Sequence, residues 1–148
     1  MSRGRQLAGG LALFLGLLAG AGAAPGDWRV SPREVREEVK AVAVDQLRAF
    51  QREDFAAARA LAATAIRQQF RPAVYERMIR RGYAELVGHA RAEVGVVRDD
   101  GQGLALVPVI VHGGDGKVAR FRYHLLREEG AWRVTGVLPE PRAPKGDL

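Results

Sequence analysis

At Gly82 the hydrophobic repeat of this chain changes from helical to extended, and that switch limits the fold more than any composition figure. Before it, Val35, Val39, Val42, Ala43, Leu47 and Phe50 recur at the spacing of one helix face. After it, apolar and polar residues alternate. Ala90, Ala92, Val94 and Val96 stand against His89, Arg91, Glu93 and Gly95, and Ala119, Phe121, Tyr123 and Leu125 against Arg120, Arg122 and His124. Helices first and strands afterwards is the order of an α+β domain, in which neither layer buries its apolar side without the other.

Local signals place the elements. Ser31-Pro32-Arg33-Glu34 reads as a capping box that opens the first helix. Asp54 is placed to cap a second helix through Phe55, Ala58, Leu61 and Ala62. A loop is expected from Thr64 to Arg71, and Pro72 then starts a third helix carrying Tyr75, Met78 and Ile79. Gly82 is expected in the left-handed position that ends a helix. Turns at Asp99-Asp100-Gly101, His112 to Gly116 and Glu129-Gly130 separate four strands, the last through Trp132, Val134 and Leu138. Short turns make that sheet an antiparallel meander with one buried and one polar face. The expected layout is a linker and cap at 24–33, a single domain at 34–138 and a flexible Pro-rich tail at 139–148.

The first 23 residues carry an address. Arg3 and Arg5 precede an uncharged apolar run from Leu7 to Ala19, and Ala21-Gly22-Ala23 supplies small residues for cleavage. This is the order of a secretory signal, so the chain is expected to be exported to the periplasm or secreted. The alternative is an inner-membrane anchor through residues 6–26, which reach the length of a bilayer span but are weakened by glycines. With no cysteine the chain has neither disulfides nor a lipid-attachment thiol. The net charge of +6 would suit nucleic acid, but export argues against that partner. An anionic lipid, an acidic polymer or an acidic protein fits the same charge.

Five short motifs occur in a fixed order: Gln46-Leu47-x-x-Phe50, Glu53-Asp54, Ile66-Arg67-x-x-Phe70, Met78-x-x-x-Gly82-Tyr83 and Trp132-Arg133-Val134-x-Gly136. In these the chain resembles a bacterial family of small exported proteins named as a domain of unknown function (DUF4864). That family looks like a branch of the nuclear-transport-factor-2-like (cystatin-like) superfamily. The resemblance covers roughly Glu34 to Leu138 and implies three N-terminal helices packed on a curved four-stranded antiparallel sheet, cone-shaped around a cavity. It implies no activity.

Gln46 projects near the middle of the apolar stripe of the first helix. An amide there either orients a ligand inside the cone or bonds neighbouring backbone or a buried water. Tyr75, Tyr83, Tyr123 and Trp132 are candidates to line the same cavity, since aromatics with a polar tip suit pockets and cores alike. On the polar side of the sheet, Arg91, Arg120, Arg122, His124 and Arg133, with His89, form a candidate basic patch for a partner or a second copy. The three histidines lack metal-site spacing, and the His112 to Gly116 turn lacks a phosphate-loop pattern. No metal or cofactor is expected.

Acid–base chemistry needs an ionisable group inside the cavity. The inward positions read as apolar or aromatic, and all 17 acidic residues fall on polar faces, caps, turns or flanks. Only a one-residue slip of a strand would turn Glu93 or His124 inward. Ser2 and Ser31 are the only serines, so a covalent nucleophile is not expected. The reading is a non-catalytic binding module for a small apolar ligand or a protein partner. The alternatives are an isomerase-like or dehydratase-like cavity enzyme, or a membrane-tethered accessory domain should the signal stay uncleaved.

Overall fold

The computed structural model describes residues 27–140. The signal segment at 1–23, the anchor alternative through 6–26 and tail residues 141–148 lie outside the described residues. In chain order the elements are β1 (Arg29–Val30), α1 (Arg33–Gln51), α2 (Phe55–Ala60), α3 (Thr64–Gln69), α4 (Pro72–Gly82), a 3-10 turn (Ala84–Leu86), β2 (Arg91–Val94), β3 (Arg98–Asp99), β4 (Leu104–His112), β5 (Val118–Glu128) and β6 (Ala131–Pro139). The α+β order is as expected, with helices packed against an antiparallel sheet. Among the described residues the sheet has six strands rather than four, and there are four α-helices rather than three.

The sheet runs β1-β3-β4-β5-β6, with β2 also paired to β4. The strand expected around Ala90 to Val96 is interrupted at Gly95 to Val97 and resumes as β3. That interruption changes its phase: Val96 is exposed and Val97 enters the core. β1 lies ahead of the expected domain start and holds the chain to the sheet. Ser31 N–H donates to the Val97 carbonyl at 3.0 Å, and Arg29 Nε to Asp99 Oδ1 at 3.2 Å. Burial alone would raise the Asp99 carboxyl, but the Ser31 hydroxyl, the Gly101 amide and Arg29 together hold it below its usual range. Because the Ser31 backbone is committed to the sheet, the capping box does not form. The N-cap of α1 is Pro32, with no side-chain cap.

The inner face of the sheet and the apolar stripe of α1 form one core. Val39, Ala43, Leu47 and Phe50 meet Val107, Tyr123 and Leu125 there, and each large side chain so buried contributes about 1.5–3 kcal/mol. Asp54 caps α2 as expected, accepting from Ala57 N–H at 3.0 Å. α3 stands where a loop was expected, and other elements hold both of its ends. The Glu128 carboxylate accepts from Thr64 N–H at 2.9 Å, while Arg59 donates to the carbonyls of Arg67 at 2.8 Å and Phe70 at 2.9 Å. Gly82 closes α4 without a left-handed φ, and Tyr83 is the C-cap.

β6 contains the main departure from strict alternation. The pairing passes from Leu125↔Val134 to His124↔Gly136, so Thr135 is an extra residue. Beyond this bulge the faces exchange. Val137 is buried opposite Tyr123, and Leu138, expected inward, lies opposite Arg122 on the outer face. The strand continues through Pro139, and Glu140 N–H donates to the Arg120 carbonyl at 2.9 Å, so the ordered fold runs into the expected tail.

Candidate functional site

All five expected pocket residues are buried. Gln46, Tyr75 and Tyr83 line one small chamber with Phe50, Ala62, Ile66, Ile79, Val134, Gly136 and Val137. Tyr123 and Trp132 lie in the core outside its lining. Gln46 Nε2 donates to the Ala58 carbonyl at 3.0 Å, which fixes the amide, and its Oε1 has no partner among the described residues. The Tyr83 and Tyr123 hydroxyls and the Trp132 indole N–H are likewise buried and unpartnered.

Burial raises the Tyr75 hydroxyl well above its usual range, with Tyr83 adding to the effect and Arg59 opposing it. Burial does the same to Tyr83, and to Tyr123 with the help of its two neighbouring tyrosines. These phenols stay protonated at any physiological pH. The chamber therefore offers a neutral amide and phenols in about 20 Å³. That is room for one water, not for a lipid-sized ligand.

On the outer face, pairing register brings together the expected basic residues Arg91, Arg120, Arg122, His124 and Arg133. Leu104, Leu106, Pro108 and Ile110 form an apolar column on β4, and Leu126, His124, Arg122 and Arg120 lie directly opposite on β5. Arg98, paired with Leu106, joins this face and is a residue that sequence alternation missed. Arg122 is held by Glu140 at 3.2 Å and Arg91 by Glu93 at 3.2 Å, whereas Arg98 and Arg120 make no ion pair among the described residues. Arg133 Nη1 donates to the Ala60 carbonyl at 3.3 Å. Glu93 and His124 both face outward, so the strand slip that would carry either into the cavity is not present. His124 Nε2 is buried without a partner among the described residues, and burial, reinforced by Arg122, lowers the imidazole to about 4. Hydrogen bonds from His112 and Arg91 keep the Glu93 carboxyl below its usual range.

His89 corrects the sequence reading. Strand alternation puts it on the basic sheet face, but it precedes β2 and is only 5% exposed. It lines a cleft of about 470 Å³ between the 3-10 turn and the β4–β5 turn, with Glu85, Gly88, Asp115, Lys117 and several valines. His89 Nδ1 lies 2.7 Å from the Leu86 carbonyl. A carbonyl only accepts, so Nδ1 carries the proton and a neutral ring leaves Nε2 as an acceptor. Alternation placed His89 one step out because the chain turns at Gly88, in a left-handed conformation, before the strand begins. A second depression of about 490 Å³ adjoins the cleft, sharing Glu85, Val118 and Ala119.

Among the described residues no group of three or more His, Cys, Asp or Glu side chains is arranged to hold a metal ion, and no helix is long and apolar enough to cross a membrane. No curated protein and no solved structure matches the chain. A family match does cover the whole helical block and the whole sheet apart from β1. The chain belongs to the family described as Domain of unknown function (DUF4864), whose model matches residues 32–145.

Proposed function

We propose that this domain is an exported, non-catalytic binding module of the nuclear-transport-factor-2-like type, and that it engages an acidic protein partner through the outer face of its sheet. One observation carries the reading: the apolar column Leu104, Leu106, Pro108 and Ile110 lies beside Arg120, Arg122 and His124 in the adjacent strand. An apolar strip edged with cations that make no ion pair among the described residues, such as Arg98 and Arg120, suits a partner that supplies both apolar contact and carboxylates. A second copy would set cation against cation, which favours a different, acidic protein. The neutral amide and phenols around the inner chamber support binding over acid–base chemistry.

Site-specific photo-crosslinking in the producing cell tests this. A crosslinker at Leu106 gives one discrete adduct, a crosslinker at exposed Glu37 on α1 gives none, and Arg98→Glu with Arg120→Glu removes the Leu106 adduct. No adduct at Leu106 sinks the proposal, and an adduct of twice the protomer mass replaces the acidic partner with a second copy. The apolar-ligand reading ranks second, since the chamber is water-sized in this conformation. A co-purifying lipid-sized mass in native mass spectrometry would reverse that order. N-terminal sequencing of the mature protein decides between cleavage and tethering.

A further inference from the structure

We propose that the cleft at His89 is a second binding site, independent of the sheet face, that takes a primary alkylammonium group. Three features of the cleft converge on this chemistry. Its volume of about 470 Å³ lies within the range of small-molecule sites. His89 is almost wholly buried, its Nδ1–H is held by the Leu86 carbonyl, and Nε2 has no partner among the described residues. With the ring neutral, a buried histidine anchored in this way presents Nε2 as the acceptor, because that nitrogen can neither rotate away nor exchange tautomer without losing the backbone bond. The remaining lining is Glu85, Asp115 and Lys117 over an apolar floor that includes Val87 and Val111.

The balance of polar groups selects the ligand. Asp115 Oδ1 is committed to the Lys117 backbone N–H at 2.9 Å, while the Glu85 carboxylate has no ion pair among the described residues. Two carboxylates and one imidazole acceptor stand against one ammonium, on a chain whose net charge is +6. The cleft is thus an acceptor-rich, locally acidic spot on a basic protein. An anion would meet Glu85 and Asp115, and a neutral alcohol would leave a carboxylate unneutralised. An ammonium supplies three donors and a positive charge, and its hydrocarbon stem covers the valines. Gly88 and Gly114 on its rim border open space, since a Cβ at either would meet no atom within 4 Å.

Titration of the protein with hexylammonium chloride, followed by amide NMR shifts, tests the assignment. Hexanoate and hexanol at equal concentration and ionic strength are the controls, and spermidine distinguishes a polyamine source from a simple amine. Hexylammonium is expected to give saturable shifts at Gly88, Gly113 and Gly114, with hexanoate and hexanol weaker by about tenfold or more. His89→Phe and Glu85→Gln each weaken hexylammonium by a similar factor, whereas His112→Gln does not. Glu85 is exposed, so its variant keeps the test valid if the His89 variant misfolds. Equal shifts from hexanoate, no saturation with hexylammonium, or unchanged binding by Glu85→Gln overturns the proposal and leaves the sheet-face reading untouched.

Discussion

The side-chain amide of Gln46 donates to the backbone carbonyl of Ala58 at 3.0 Å, joining α1 to α2 across the core. The same carbonyl also accepts the Leu61 N–H at 3.2 Å, so it keeps a partner if the amide is removed. Gln46 Oε1, in contrast, is buried with no partner among the described residues. Gln46→Met, which preserves length and deletes that oxygen, is therefore expected to change stability by less than about 1 kcal/mol. Gln46→Ala empties the space and costs about 2–4 kcal/mol. Urea denaturation of both variants checks this, and a large loss for Gln46→Met would show that the oxygen is bonded in solution.

His124 gives the domain a pH dependence of known sign. The folded environment lowers its imidazole from 6.5 to about 4, so the unfolded chain binds the proton more readily. Stability from this residue is complete above pH 6.5 and is lost as pH falls toward 4, by about 1–3 kcal/mol. The difference between wild type and His124→Gln across that window isolates the effect from the carboxylates. Parallel melting-temperature curves would refute it.

The bulge at Thr135 predicts opposite tolerances for two adjacent residues. Val137 faces the core and Leu138 the outer sheet face. Val137→Glu buries an unpaired charge and is expected to cost more than about 3 kcal/mol, whereas Leu138→Glu costs less than about 1 kcal/mol. Circular dichroism melts of the pair decide between this register and uninterrupted alternation, which requires the reverse.

Glu129 and Gly130 join β5 to β6 with φ of 49° and 80°. Both central residues are left-handed, as in the tight hairpin turn that prefers Asn-Gly. Glu129→Asn relieves the strain on the longer side chain and is expected to stabilise the domain by about 0.5–1 kcal/mol. A thermal shift of zero or of opposite sign would contradict it.

Where a residue's own neighbours decided its place, the fold was legible in the sequence. The stripe from Val39 to Phe50 is buried along α1, Asp54 caps α2, and Ala105 to Val111 and Phe121 to Leu125 alternate inward. Where distant residues decided, it was not. The two ends of α3 are held by Glu128 and Arg59, neither of which belongs to that helix. Ser31 loses its capping role because Val97, far along the chain, takes its amide. The candidate sites divide in the same way. Register across the strands paired to β4 and β5 collected the basic residues onto one face, while His89 escaped because left-handed Gly88 turns the chain just before it, ahead of the strand in which alternation begins.

Two stretches along the margins of the sheet are paired with short segments of the protein's own backbone. β1 lies along Arg98 and Asp99, and on the far side Val134 exchanges hydrogen bonds with Leu61 and Ala63 at 2.9 and 2.8 Å. Both contacts use main-chain groups that would otherwise template a strand from another molecule. Fibril-like growth by edge-to-edge addition is thereby blocked at these positions. A sheet with short segments laid along its margins and an apolar column between arginines on its broad side is built to meet a neighbour through side chains rather than through its backbone.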